Sequence, residues 1–280
     1  MTENQTITVL DNLQETCDGD FSSGEITDFE LDIAGKKTSF HINVTAKNAA
    51  LADIVPLARK LSTKLAAAFV ANLREKGHFV PCCKGCSACC SSLIPLSVPE
   101  AFRLRKELLA MPSDVSNQIM RSCINTAEKI LDKAQRTDRM EGFSKNSKPR
   151  ISQINKWYGE LKLPCPLLSK SLCTLYEQRP LACREHIVTG SSASCQIKSK
   201  CRPNVAIMPA SVLETLGQLA CELEQTEVEA IMLPLSFAWA QDNIERAKRT
   251  WPTAQMVKRF VEILKQKASK KKSVPAAMPA

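Results

Sequence analysis

The feature that most constrains this chain is a dense run of cysteines at residues 82–90, which read CCKGCSACC. Five thiols fall within nine positions, and the chain of 280 residues contains 13 cysteines in all. Cysteines this closely spaced could form a disulfide framework, a redox pair, part of a packed core or a metal centre. The choice among these four decides how the surrounding segments must fold.

The composition favours a metal over disulfides. The amino terminus, MTENQTITVL, lacks the basic and apolar regions of a secretory signal, so we expect a cytoplasmic protein in a reducing compartment. An odd number of cysteines cannot pair completely within one chain. Adjacent residues such as Cys89 and Cys90 are poorly placed to bridge one another. Cysteines interleaved with Lys, Gly and Ser are also unlike a packed core, which leaves a metal as the favoured interpretation.

Charge indicates which partners to expect. The net charge is +9, yet residues 1–35 contain nine acidic residues and no Lys or Arg, so the remainder is about twice as basic as the total suggests. The C-terminal KQKASKKKS concentrates lysines, which is compatible with an acidic protein partner. Few aromatic residues lie among these lysines to stack on bases, so nucleic-acid binding is not expected. No run of about 18 apolar residues predicts a membrane span.

Apolar periodicity predicts a mainly α fold that begins with strands. Residues 28–44 alternate apolar and polar positions on either side of AGKK, which predicts a β-hairpin that packs on the following helices, and TITVL predicts a further short strand. Helical spacing then recurs from Ile54 to Gly77. A capping box, Ser97-Val-Pro-Glu100, opens a helix that runs through Leu109.

Further helices are predicted from Ser113, at 149–162 and, two or three of them, from Met208 to about Lys267 with breaks at Pro234 and Pro252. Segment 137–150 is predicted to be a loop, and segment 164–206 is predicted to be mostly loop with short helical turns. We therefore expect an acidic flexible lead-in at 1–25, a single mainly helical metal-binding domain at 26–268 and a basic flexible tail at 269–280. Two cysteine-rich metal-binding loops within about 82–201 form the core of that domain.

Two segments supply the candidate metal ligands. In the first, two-residue spacers let successive sulfurs turn onto one centre, and Gly85 permits a tight backbone. The second, LPCPLLSKSLCTLYEQRPLACREH, is distant in sequence, and a metal that joined both would stabilise the fold. The predicted ligands are Cys83, Cys86, Cys89, Cys90, Cys165, Cys173 and Cys183.

The pattern suits either zinc or an iron–sulfur cluster. The first segment matches the opening of a bacterial-type iron–sulfur run, C-x2-C-x2-C, whose remaining cysteine precedes a proline as Cys165 does here. All-thiolate surroundings suit both metals. Seven sulfurs exceed the four ligands of one zinc, which favours a cluster such as 4Fe-4S, or two sites.

The remaining thiols have less specific surroundings. Cys123 and Cys221 lie on apolar helical stripes and are predicted to be core residues, and Cys17 is predicted to be an inert surface thiol. For Cys82, Cys195, Cys201 and His186 the sequence leaves two possibilities open. Each could be an additional metal ligand or a residue near the site that binds no metal.

CKGCSACC followed by CPLLSKSLCTLYEQRPLACR resembles the CxxCxxCC family of zinc- or iron-chelating cysteine-cluster proteins, over about residues 83–184. The matching positions of the second segment are Cys165-Pro166, Cys173, Leu175-Tyr176, Arg179-Pro180 and Cys183-Arg184. The resemblance implies a metal-binding cytoplasmic protein related to flagellin lysine N-methylases, which combine an iron–sulfur centre with S-adenosylmethionine. The chain departs from the family pattern after Arg184, where Glu185-His186-Ile187 replaces an aromatic residue and proline.

Three functions remain open. A metal-binding module for iron or zinc handling requires only the cysteines, and we favour it. An iron–sulfur enzyme that modifies protein lysines with S-adenosylmethionine is the alternative, although the chain has no G-x-G-x-x-G or P-loop motif. A structural zinc site in an interaction protein is the third. In each case Tyr176, Arg179 and Arg184 are predicted to hydrogen-bond the thiolates or to orient their backbone.

Overall fold

The structure is a computed structural model that describes residues 7–10, 25–33, 35–140, 151–196, 199 and 201–272. Its helices are α1 (Val55–Glu75), α2 (Val98–Leu109), α3 (Ser113–Met140), α4 (Ile151–Leu161), α5 (Leu181–Glu185), α6 (Val212–Glu224), α7 (Ser236–Asp242), α8 (Ile244–Ala247) and α9 (Thr253–Lys272). Its strands are β1 (Ile7–Leu10), β2 (Glu25–Ile33), β3 (Lys36–Val44), β4 (Asn48–Ala50), β5 (Pro95–Leu96), β6 (Leu168–Ser169), β7 (Leu172–Cys173), β8 (Ile187–Thr189), β9 (Asn204–Ala206), β10 (Ile231–Met232) and β11 (Thr250–Pro252). Single 3-10 turns lie at Leu51–Ile54, Ser192–Cys195 and Leu233–Leu235.

The predicted hairpin and mainly helical fold are confirmed. β2 and β3 pair antiparallel through Gly35, whose φ of +92° lies in the left-handed region that favours glycine, and the predicted short strand β1 adds to the other side of β3. One face of the sheet is apolar: Phe29 stacks on Phe40 with ring centroids 5.0 Å apart, and Ile42 is fully buried. This face packs against α1 and α9, which supply the burial that a small sheet lacks alone.

The main apolar core joins the N-terminal sheet to helices α1, α2, α6 and α9. Apolar residues along α1 recur at helical spacing, and Leu57, Leu61 and Leu65 are almost fully buried. Pro56 lies in the first turn of α1, as predicted, where a missing N–H costs no hydrogen bond. Helix α1 therefore forms a rigid wall with one face in this core and another toward the cysteine-rich segments.

A second apolar cluster lies behind the cysteine-rich segments. It contains six buried leucines and two buried isoleucines: Leu96, Leu104, Leu108, Leu167, Leu175, Leu233, Ile94 and Ile119. Two buried cysteines, Cys123 and Cys165, are part of it, and half-buried Cys90, Cys173 and Cys183 pack against it. Because α2 and α3 carry much of this cluster, their helical faces fix the floor on which the two cysteine-rich segments rest.

Several boundaries differ from those predicted. Helix α3 continues to Met140, so residues 137–140 are helical rather than loop, because a polar sequence does not end a helix without a breaker. Residues 141–150 of the predicted loop lie outside the described residues. Segment 164–206 is mostly turns and loop with short helical turns, as predicted, and it also contains the strand pairs β6–β7 and β8–β9, whose strands are too short to show periodicity.

The C-terminal region has four described helices rather than two or three, because the single-turn α8 follows α7 closely. The predicted breaks are present: Pro234 lies in a 3-10 turn and Pro252 ends β11. Helix α9 continues to Lys272, four residues into the segment predicted as a tail, and residues 273–280 and most of 1–25 lie outside the described residues. Within the described ranges, no helix combines the length and apolar character needed to cross a membrane.

Two adjacent leucines at the end of α2 test the second apolar cluster. Leu108 is fully buried in it, whereas Leu109 is 53% exposed. Leu108→Ala removes buried methyl groups and leaves a cavity, so we expect the free energy of unfolding to fall by about 2–5 kcal/mol. Leu109→Ala is the matched control and should change it by less than about 0.5 kcal/mol. Urea unfolding measures both, and equal effects would contradict the described packing.

Candidate metal centre

The two cysteine-rich segments meet at a half-open cavity of about 360 Å3 beside α1. Among the described residues, eight cysteines line this cavity: Cys82, Cys83, Cys86, Cys89, Cys90, Cys165, Cys173 and Cys183. All seven predicted ligands are therefore present, together with one thiol that the sequence left open. We call this space the cysteine cavity. Its remaining wall includes apolar side chains of α1, among them Ala66, Ala67 and Val70.

The first segment reaches the cavity through a series of tight turns. The N–H of Cys86 donates to the Cys83 carbonyl at 3.2 Å, and the N–H of Cys90 donates to the Ser87 carbonyl at 3.0 Å. Gly85 has a φ of +90°, which a residue with a side chain rarely adopts, so glycine permits the first turn. These turns bend the backbone often enough for closely spaced cysteines to face one cavity.

The second segment is joined to the first by a backbone hydrogen bond. The N–H of Cys165 donates to the carbonyl of Cys90 at 2.6 Å. The chain then forms the hairpin β6–β7, whose connecting residues Lys170 and Ser171 both have left-handed φ values, and this hairpin returns Cys173 to the cavity. Cys183 follows in α5, where its N–H donates to the Pro180 carbonyl at 3.0 Å.

Helix α5 is held in place by buried charged groups on both sides. The guanidinium of Arg184 donates to the carbonyls of Glu177 and Arg179 and to the hydroxyl of Thr63 on α1. Burial lowers the pKa of Arg184 to about 10, so the side chain remains cationic at neutral pH. The carboxylate of Glu100 on α2 accepts the N–H of Leu181 at 2.8 Å, although its own burial raises its pKa.

Two cations lie against the ring of Tyr176, a residue that lines the cavity. Arg179 lies 4.1 Å from the centroid of the Tyr176 ring, and the Lys84 ammonium lies 5.2 Å from the same centroid. Arg179 also donates to the Tyr176 carbonyl at 3.1 Å. Tyr176 and Arg179 thus contact each other between Cys173 and Cys183, and the role of Tyr176, Arg179 and Arg184 in holding the thiolates or their backbone stays a prediction.

The buried thiols favour their protonated form in the absence of a cation. Burial raises the pKa of Cys165 and of Cys183 to about 12 each. The pKa of Cys89 is also raised, first by a hydrogen bond with the Cys90 thiol and then by burial. Reactive and redox cysteines have lowered pKa values instead. A metal cation would displace these protons, so the environment suits cation binding better than nucleophilic chemistry.

The thiols share the cavity without yet forming a coordination sphere. Among the described residues, no three His, Cys, Asp or Glu side chains are arranged so that they could hold one metal ion. Protonated thiols gain little by converging, and cysteine side chains move between staggered rotamers. The donors therefore fit zinc or an iron–sulfur cluster in chemistry and location, while rotation of their side chains must complete the site.

Several residues of the site were not predicted as part of it. The Cys82 thiol lines the cavity and accepts the N–H of Val188 at 3.4 Å. Thr63 and the α1 wall contribute from a helix whose sequence shows only amphipathic packing. The sequence identified Glu100 as part of a capping box. Its hydrogen bond with the Leu181 N–H could not be predicted, because these residues are distant in sequence.

The other thiols occupy varied positions. Cys123 is buried in the second apolar cluster, as predicted, while Cys221 is only half-buried on α6 and its thiol donates to the Thr226 carbonyl at 2.7 Å. Cys201 is exposed, and Cys195 lines a second cavity that shares His186 with the cysteine cavity. Cys17 lies outside the described residues.

Comparison with known families agrees with this geometry. Residues 82–202 match the sequence model of the CxxCxxCC family, whose description is "Putative zinc- or iron-chelating domain". The matched range contains all eight cysteines of the cavity. Searches of curated proteins and of solved structures gave no significant match. The match supports metal binding by these cysteines, and the relation to flagellin lysine N-methylases stays a prediction.

Arg184→Lys tests how α5 is held. Lysine keeps the positive charge but lacks the planar fork that reaches two carbonyls and a hydroxyl. We expect the free energy of unfolding to fall by about 1–3 kcal/mol, since buried acceptors lose their donors, and metal affinity to fall roughly 10–100-fold. Urea unfolding and metal competition measure these effects. Arg249→Lys, at an exposed arginine, is the control, and equal behaviour of both variants would refute the role of Arg184.

Proposed function

We propose, from the premise that residues 82–202 belong to the CxxCxxCC family of zinc- or iron-chelating domains, that this chain binds iron as an iron–sulfur cluster. The cluster would lie in the cysteine cavity, with its ligands drawn from Cys83, Cys86, Cys89, Cys90, Cys165, Cys173 and Cys183. When bound, it would supply one-electron chemistry or exchangeable iron. The chain would then act as a module for iron handling or for a redox-linked signal.

The observation that carries the proposal is the convergence of so many thiols on one sizeable cavity. A zinc ion with four thiolates at about 2.3 Å leaves no space around it. The cysteine cavity measures about 360 Å3, and its eight cysteines are twice the number one zinc requires. Both the space and the number of sulfurs suit a guest with several metal atoms better than a single ion.

The charges around the cavity also suit a cluster. Thiolate ligands bring negative charge, which Arg179 in the cavity lining partly offsets. The apolar side chains of α1 and of the second cluster limit the access of water on the inner side. Solvent exposure and nearby charge are two of the factors that set the reduction potential of a cluster. The half-open shape is unlike a structural zinc site, which is closed.

Anaerobic purification with metal and sulfide analysis tests the proposal. We expect iron and acid-labile sulfide in similar amounts per chain and a broad visible absorption from thiolate-ligated iron. Cys173→Ser should lose most of the iron and the absorption. Cys221→Ser, outside the cavity, is the matched control and should keep both. Zinc without sulfide would identify a zinc site instead, and a protein without stoichiometric metal would exclude a metal function.

An enzyme that uses S-adenosylmethionine is the second candidate, and one wall of the cavity favours it. The apolar wall at Ala66, Ala67 and Val70 carries no metal donor, which leaves space for an organic molecule beside a cluster. We expect saturable heat of binding when S-adenosylmethionine is titrated into the anaerobic, iron-loaded protein, and none with the Cys173→Ser variant. The absence of heat from the iron-loaded protein would eliminate this candidate.

A further inference from the structure

The second cavity lies next to the cysteine cavity and has no part in the proposed function. It measures about 530 Å3, which is within the range of clefts that hold small molecules. Three residues, Ser92, Leu93 and His186, line both cavities and form a common wall between them. A molecule in the second cavity therefore lies beside whatever the cysteine cavity holds.

Helix α4 forms another wall of the second cavity. Asn155, Lys156, Gly159 and Glu160 line it, and because they are spaced by about one helical turn they share one face of α4. Lys162 follows the helix with a φ of +52°, in the left-handed region that residues with a side chain rarely adopt. Its N–H donates to the Gly159 carbonyl at 3.3 Å. The chain thus turns sharply after α4, and Lys162 lines the same cavity as Lys156.

The lining of the second cavity carries more positive than negative side chains. It contains two lysines, Lys156 and Lys162, and one carboxylate, Glu160. Lys156 and Glu160 are four residues apart on α4, a spacing at which ion pairs form readily. Within the described ranges, however, neither lysine takes part in an ion pair, whereas Lys84 lies 2.9 Å from the Glu177 carboxylate. Both ammonium groups of the second cavity are therefore available to a ligand.

Neutral hydrogen-bonding groups complete this lining. The hydroxyls of Ser91 and Ser92 and the amide of Asn155 belong to it, and none of the three side chains has a hydrogen-bond partner among the described residues. Of the described residues that line the cavity, Leu93 alone has a large apolar side chain. Ammonium, hydroxyl and amide donors suit the oxygen atoms of carboxylate and phosphate groups. The lining therefore indicates a polar, negatively charged ligand.

We propose that the second cavity binds a small organic anion, with Lys156 and Lys162 bound to its carboxylate or phosphate groups and Ser91 and Ser92 donating hydrogen bonds to it. The bound anion lies against the wall shared with the cysteine cavity and so occupies one side of the metal centre. The inference goes beyond the proposed function, because the lysines and serines bind the anion whichever metal the cysteines hold. Carboxylates and phosphate esters share this chemistry, and the experiment separates them.

Calorimetric titration of the anaerobically purified full chain tests the site, with succinate in one series and glycerol 3-phosphate in another. Both anions bind metal ions only weakly, so binding to the cysteine cavity does not dominate the heat. We expect saturable binding of one of them, and Lys156→Gln/Lys162→Gln should weaken it at least about tenfold, because two charge-assisted hydrogen bonds are lost. Lys76→Gln/Lys129→Gln is the matched control. It removes the same charge from exposed lysines that line neither cavity and should leave the affinity unchanged.

A second measurement locates the bound anion. Cys195 lines the second cavity, whereas Cys201 lines neither cavity. A saturating anion should slow the alkylation of Cys195 by iodoacetamide and leave the rate at Cys201 unchanged, as measured by mass spectrometry of the peptides. Circular dichroism of each variant confirms that the helices are retained.

Three results would overturn the anion site. They are the absence of binding by both anions, equal affinities of the two double variants, and binding that leaves Cys195 unprotected. The proposed function fails separately, since a chain without iron and sulfide refutes the cluster while the loss of affinity in Lys156→Gln/Lys162→Gln still supports the anion site.

Discussion

The hydrogen bond from the Cys165 N–H to the Cys90 carbonyl is the contact on which the cysteine cavity depends. It joins two segments that are far apart in the chain, each of which has little regular structure of its own. On one side of this bond the backbone turns through the CxxCxxCC run, and on the other it enters the β6–β7 hairpin. Because both partners are cysteines, the bond also brings their side chains to the same floor of leucines.

Buried charge then keeps the segments in register. A five-residue helix such as α5 is too short to be stable alone, so its position must come from tertiary contacts. Glu100 reaches it from α2, and Arg184 ties the preceding loop to α1. Burying these groups costs free energy, which their several hydrogen bonds offset in part. The arrangement fixes Cys183 between two helices whose own positions are set by apolar packing.

Patterns among neighbouring residues predicted the helices and strands, whereas contacts between residues distant in sequence determined how the site is built. The alternation around Gly35, the capping box at Ser97 and the spacing along α1 each depend on neighbours in sequence, and each was predicted correctly. The cysteine spacing predicted that two segments would share one location. It could not indicate that α1 supplies the third wall, because its cavity-facing residues are ordinary helix formers. Nor could the spacing indicate that Cys90 packs against the second apolar cluster while Cys89 does not, because that difference depends on contacts distant in sequence.

The place where the chain departs from the CxxCxxCC pattern that residues 82–202 match has a physical role of its own. Glu185, which stands where an aromatic residue is common, accepts the N–H groups of Val212 and Leu213 at 2.7 and 3.0 Å and the hydroxyl of Ser211. It therefore satisfies free donors at the start of α6. A carboxylate there also complements the positive end of the helix dipole. Through this residue, α5 and the cysteine it carries are anchored directly to the main core, so the departure strengthens the connection between site and fold.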